Sequence, residues 1–211
     1  NGGTFSNIEL TVTDVNGCTD VATFTDDIFV NQVIPAFDIS VNEGCRPLTV
    51  QFTDQSTTFG GVITDWFWDL GNGLTSMDQN PTITINNVGV RDVSLTVSNS
   101  LGCTQTLTIA DTIRVTFPNV DFEVDTLACP GQVLSFDNNS SVAAPATYEW
   151  DFGDNTSSMD QNPTHAYTDE GIYTVNLVVT DRNGCVDSLL QDIEIALPIA
   201  NFVADTLSSS C

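Results

Sequence analysis

Apolar and polar residues alternate along most of the chain. In "IYTVNLVV" Tyr173, Val175, Leu177 and Val179 fall on one side of an extended backbone. "VSLTV" repeats this with Val93, Leu95 and Val97, and "IELTV" with Ile8, Leu10 and Val12. Trp66, Trp68 and Leu70 share a side in "WFWDL", as do Tyr148, Trp150 and Phe152 in "YEWDF". A period of two predicts strands with one buried face. No stretch sustains a helical period. Asn-Gly, Asp-Xaa-Gly and Pro interrupt the strands every ten residues or so, the spacing of an all-β sandwich. Phe67 points opposite Trp66 and Trp68, so it is expected to cover an edge or touch a neighbour.

The pattern is also periodic on a longer scale. "SMDQNPT" occurs at Ser76–Thr82 and again at Ser158–Thr164, an offset of 158 − 76 = 82 residues. The same offset relates "FWDLGNG" to "EWDFGDN" and "VSNSLGC" to "VTDRNGC". Three blocks in one register make an internal repeat of domain size. Residues 1–33 are expected to be the last strands of one repeat, with "DVNG" as their hairpin turn. Complete repeats are expected over 34–117 and 118–197, and 198–211 opens a further one. The joints are short, Pro-bearing and partly apolar, so neighbouring units are expected to abut with limited freedom.

Charge narrows the partners. The chain has 28 acids against 4 basic residues, a formal net charge of −24. Anionic membrane surfaces are therefore poor partners, and no nucleic-acid partner is expected. No apolar run approaches a membrane span, so no membrane insertion is expected. The chain opens inside a strand-like run, without a basic-then-apolar leader, and reads as a segment of something longer. The 6 cysteines recur in phase with the repeat. Cys18, Cys103 and Cys185 each follow a glycine in a turn, and Cys45, Cys129 and Cys211 each follow a Phe by seven to nine residues. Without CxxC pairs or His partners, this argues for disulfides in an oxidising, extracytoplasmic place rather than for a metal site.

Little points to catalysis. His165 is the only histidine, and lysine is absent, which removes Schiff-base and phosphate-loop chemistry. No Ser or Thr has an evident base, and a small sandwich offers no deep cleft for paired carboxylates. No cofactor is expected. Asp151, Asp154 and Asp181 are the candidate ligands should Ca²⁺ bind, but no EF-hand spacing is present and Asn72 replaces Asp154 in the other repeat. Otherwise the acids form a solvated, self-repelling surface.

One stretch carries a resemblance. "YEWDFGDNTSSMDQNPTHAYTDEGIYTVNLVVTDRNG" resembles the polycystic-kidney-disease (PKD) repeat, marked by W-D-F-G-D followed by P-x-H-x-Y and G-x-Y-x-V. Residues 118–197 match almost throughout. Residues 34–117 keep Trp68, Asp69, Gly71 and Pro81 but carry Leu70, Asn72, Ile83, Ile85 and Arg91 where the motif has Phe, Asp, His, Tyr and Tyr. The resemblance implies tandem Ig-like sandwiches arranged end to end. Trp68, Trp150, Phe152 and Tyr173 would be signature core residues, Gly71 and Gly153 turn formers, and His165 structural. The recurring cysteine pattern is similar to that of long multi-repeat surface proteins of Bacteroidota, including gliding-motility adhesins exported by the type IX system. Thr112, Thr126, Ser188 and Thr206, in D-[ST]-aliphatic triplets, resemble the O-glycosylation acceptors of that group.

The borrowed topology also implies a cysteine pairing. In such a sandwich Cys45 lies at the exit end of its unit and Cys103 at the entry end, on the order of 35 Å apart. That exceeds the roughly 4.4–6.8 Å between Cα atoms that a disulfide permits. The resemblance therefore implies a bond from Cys45 to Cys185 between repeats. Cys103 would pair backward, and Cys129 and Cys211 forward, and these three and Cys18 would have partners outside this segment. The implied function is a semi-rigid extracellular stalk or filament of a cell-surface adhesin. Its partners would be neighbouring repeats and secretion or surface-anchoring machinery. The alternatives are carbohydrate- or protein-binding accessory repeats of a secreted hydrolase, or a surface-layer component.

Overall fold

A computed structural model describes residues 3–197. Every regular element among them is a strand. The chain divides into two units, Asn1–Val115 and Thr116–Cys211.

In the first unit the alternating segments build two facing sheets. One runs in the order Thr75–Ser76, Ile63–Asp69, Gly89–Asn99, Thr104–Thr116, Glu43–Cys45. The other runs Thr82–Ile85, Leu48–Asp54, Phe37–Ile39. Trp68 pairs with Leu95 and Trp66 with Val97, so the apolar sides of two adjacent strands face the same way. Phe52 on the opposite sheet meets the Trp68 ring at 5.3 Å between centroids, and Phe37 meets it edge-on at 5.2 Å. Trp68, Phe52, Leu70, Val93, Leu95 and Val97 are all fully buried. A two-residue register shift between Arg91 and Val93 bulges the long hairpin and puts Asp111 at φ 51°.

The second unit repeats the arrangement. Its main sheet runs Leu127–Ala128, Val186–Ile195, Gly171–Thr180, Thr147–Asp151, Ser157–Ser158. Trp150 lies opposite Leu177, as Trp68 lies opposite Leu95. Phe122 and Phe136 pack on Trp150 at 5.0 and 5.5 Å. Tyr167, Phe152, Val175 and Val179 complete this core.

The N-terminal segment differs from the expectation. Ile8–Thr13 and Thr19–Phe24 form the expected hairpin, in register Ile8↔Phe24 to Thr13↔Thr19. Gly3–Phe5 and Ile28–Val30 add a second ladder. The alternation of Ile8, Leu10 and Val12 predicts a buried face, yet they are 42%, 63% and 54% exposed. Nothing among the described residues covers that face, because period-two pattern sets the direction of side chains and not what stands opposite them.

Candidate functional site

The twice-spelled heptapeptide builds one clasp around each tryptophan. In the first unit the Trp68 indole Nε1 donates to the carbonyl of Asp78 at 2.9 Å. Asp78 is held by Ser76, whose Oγ accepts from the Asp78 amide and donates to its carboxylate. The Asn80 side-chain oxygen accepts from the Asp54 amide, and the Pro81 carbonyl from the Phe52 amide. In the second unit Trp150 reaches the Asp160 carbonyl at 3.1 Å, Ser158 holds Asp160, Asn162 accepts from Asn138, and Pro163 accepts from Phe136. A buried indole N–H needs a partner, and a loop carbonyl supplies it. The residues of the string therefore tie one sheet's tryptophan to the other sheet.

The turn before each clasp needs glycine. Gly71 and Gly153 both have φ 78°, and their amides donate to Asp69 and Asp151. A Cβ on Gly153 would stand 2.7 Å from the Thr174 carbonyl oxygen.

Around these shared bonds the units diverge. Asp54 accepts from the Trp66 indole at 2.7 Å, from Gln79 at 3.1 Å and from the Ser56 amide at 3.0 Å. Partial burial pushes its carboxyl up, but the bonds from Ser56, Gln79 and Trp66 outweigh burial and hold it below the ordinary aspartate value. The second unit has Asn138 and Tyr148 at the corresponding places. There the distinctive group is His165, whose Nε2 lies 2.7 Å from the Asp154 carboxylate. The imidazole stacks on Phe152 at 4.3 Å and meets Tyr167 edge-on at 4.6 Å. Burial again pushes the Asp154 carboxyl up, and bonds from Thr156 and His165 bring it below its ordinary value. Tyr167 donates to the Phe152 carbonyl at 2.9 Å, and burial drives its phenol well above the usual range.

The Gly-Cys turn occurs three times with one geometry. In each, the first residue's amide donates to the cysteine carbonyl and its carbonyl accepts from the glycine amide: Asp14 with Cys18 and Gly17, Asn99 with Cys103 and Gly102, Asp181 with Cys185 and Gly184. Each first residue's side-chain oxygen also accepts from the cysteine amide, at 2.9, 3.0 and 2.9 Å. An Asp or Asn side chain closes such a turn by mimicking backbone, so every copy holds the cysteine backbone by the same bonds, although Cys18 is exposed, Cys103 half-buried and Cys185 buried. Cys45 and Cys185 each take part in a disulfide, whereas Cys18, Cys103 and Cys129 are free thiols. Cys211 and Thr206 lie outside the described residues.

The three candidate Ca²⁺ ligands do not converge. Asp151 lies opposite Asn176, while Asp181 follows Thr180, which lies opposite Thr147. Asp181 thus lies five residues along from the partner of Asp151, about 17 Å away in the strand direction. The Asp151 and Asp181 carboxylates accept from amides of their own turns. Ser188 and Thr126 are exposed, and Thr112, in the bulge, donates its hydroxyl to the Ile109 carbonyl at 2.6 Å. Tyr173 donates to the Asp169 carbonyl. Phe67 is exposed on the outer sheet face opposite Thr96. The Asp54 cluster gave no warning in the sequence, because its members are spread over three separate segments.

Known proteins share parts of this sequence. The family model described as "PKD domain" matches residues 32–115 and 116–197. A pre-pro-metalloprotease, PrtV, of Vibrio cholerae is 35% identical over 80 residues, 38% of this chain and 8% of that protein. A microbial collagenase of Vibrio alginolyticus is 31% identical over 97 residues, 44% of this chain and 12% of that protein. The chain thus spans about a tenth of the length of the curated relatives it matches. Among solved structures, the PKD1 domain of Vibrio anguillarum Epp is 32% identical, covering 39% of this chain and 96% of that one with a TM-score of 0.34. The PKD1 domain of PrtV is 33% identical, covering 38% and 99% with a TM-score of 0.34.

Proposed function

The chain belongs to the PKD-domain family, and from that premise we propose that its repeats are non-catalytic spacer units of a longer extracellular protein. The finer reading is a semi-rigid stalk of a cell-surface adhesin, of the kind used in gliding motility and exported by a type IX system. Residues 1–33 are then the closing strands of a further repeat, and 198–211, outside the described residues, belong to another. Neighbouring repeats, and secretion or anchoring machinery, are the partners. The exposed Ser188 and Thr126, with Thr112 and Thr206, are the places where O-glycans would sit.

One observation carries this reading. The Gly-Cys turn recurs with the same hydrogen bonds in three copies, so the cysteine occupies the same position of the same turn each time. In our reading Cys45 bonds to Cys185 and staples repeat to repeat. The free Cys103 and Cys18 are the corresponding backward-pairing positions, and Cys129 and Cys211 the forward-pairing ones. Staples of this kind limit bending at each joint, and tandem units then act as a rod. A second reading, accessory repeats of a secreted hydrolase, is favoured by the names of the relatives, which are proteases and collagenases.

Non-reducing peptide mapping of the chain tests the staple. A single Cys45–Cys185 linked peptide is expected. Recovery of Cys45 joined to Cys103 would overturn the inter-repeat version. The full-length gene product separates the two functions: many consecutive repeats support the stalk, and one catalytic domain with few repeats supports the accessory role.

A further inference from the structure

Phe67 is out of keeping with the outer face of the first unit's main sheet. Its position faces outward, opposite Thr96, yet it carries an aromatic ring that is 42% exposed. A groove of about 520 Å³ opens beside the ring, lined also by Met77, Asp65, Asp78, Thr96 and Ser98. Met77 is exposed as well. The Thr96 and Ser98 hydroxyls are bonded to those of Thr106 and Thr104, each at 2.8 Å, so that wall is neutral. The charge comes from the two acids. Asp65 accepts from the Thr64 hydroxyl and Asp78 from the Ser76 hydroxyl, and neither acid forms an ion pair among the described residues. No basic residue lines the groove.

The second unit shows that the fold does not require these groups. The 82-residue offset puts Glu149 at the position of Phe67 and Thr147 at that of Asp65, while Met159 and Asp160 repeat Met77 and Asp78. Exposed apolar side chains bordered by separate carboxylates complement a side chain with a long apolar stem and a cationic tip. The face of the ring attracts a cation as well. An ammonium, with three rotatable donors, serves carboxylates on separate segments, whereas a guanidinium fork suits a single one. The sequence contains no lysine, so neither this sequence nor a second copy of it supplies one. We propose that this groove is a docking site for a lysine side chain of a partner protein, a contact that the spacer role does not call for. The stem lies against Phe67 and Met77, and the ammonium is held by Asp65 and Asp78. The net charge of −24 adds long-range attraction for a basic partner.

The test is an NMR titration of the whole chain, with labelled methionine methyl groups, at fixed ionic strength. The chain's 2 methionines, Met77 and Met159, report separately on the groove and on its counterpart in the second unit. The probes are acetyl-lysine methylamide, the norleucine analogue with a similar stem and no charge, and the arginine analogue. A saturable shift at Met77 is expected with the lysine probe, weaker binding with the other two, and no saturable shift at Met159. Phe67→Ala, and Asp65→Thr, which installs the second unit's residue, are each expected to weaken lysine binding about threefold. Four results overturn the proposal: no saturable shift at Met77, an equal response at Met159, norleucine or arginine binding as tightly as lysine, or undiminished binding in either variant.

Discussion

The indole of Trp68 and the carbonyl of Asp78, ten residues on, are joined by a 2.9 Å hydrogen bond. The same bond joins Trp150 to Asp160 at 3.1 Å. Trp68→Phe and Trp150→Phe each remove the donor and leave a small void in a fully buried site. Each is expected to cost about 2 kcal/mol in denaturant unfolding. Near-equal losses are the signature of a shared clasp. A loss confined to one unit would mean that the two loops are held differently.

Asp54 sets an acid dependence in the first unit. Because its carboxyl is held below the ordinary 3.8, the folded protein binds that proton more weakly than the unfolded chain. Its contribution is complete above 3.8 and is lost as the pH falls through the lower folded value. Asp54→Asn places an amide donor against the Trp66 and Gln79 donors, and is expected to destabilise most at neutral pH. The gap from the parent chain should close on acidification. Adding Trp66→Tyr, which reproduces the Asn138 and Tyr148 of the second unit, is expected to recover part of the loss. Thermal unfolding against pH measures both effects.

Asp154 and His165 are expected to behave as a pair. Their replacements in the first unit are Asn72 and Ile83, so Asp154→Asn with His165→Ile is a combination the fold already uses. Each single change strands a partly buried partner. The double mutant is expected to be more stable than the sum of the singles by about 1 kcal/mol. Strict additivity in the mutant cycle would show that the 2.7 Å contact contributes nothing.

Two glycines with the same backbone angle should respond differently. Gly153 and Gly184 both have φ 78°, but a Cβ on Gly184 meets nothing within 4 Å, whereas on Gly153 it meets the Thr174 backbone at 2.7 Å. Gly184→Ala is expected to cost about 1 kcal/mol, from backbone strain alone. Gly153→Ala is expected to cost about 3 kcal/mol, because strand and turn must separate as well. Equal losses would show that strain, not the close approach, dominates at Gly153.

Strand identity, the 82-residue repeat and the two central tryptophans were readable from the chain alone. Alternation and turn chemistry are local properties, and an offset survives wherever neighbours must satisfy the same backbone. The six Asx bonds of the Gly-Cys turns are equally local, each spanning two to four residues. What only the tertiary structure decided is which polar groups meet across sheets: Asp54 with Trp66 and Gln79, Asp154 with His165, and Arg91 with little beyond the Gly71 carbonyl. It also decided that Ile8, Leu10 and Val12 stand uncovered while their counterparts Val93, Leu95 and Val97 are buried. The reason is the same in each case. A one-dimensional pattern gives the direction of a side chain, but its partner comes from a distant strand whose register is settled only when the sheets close.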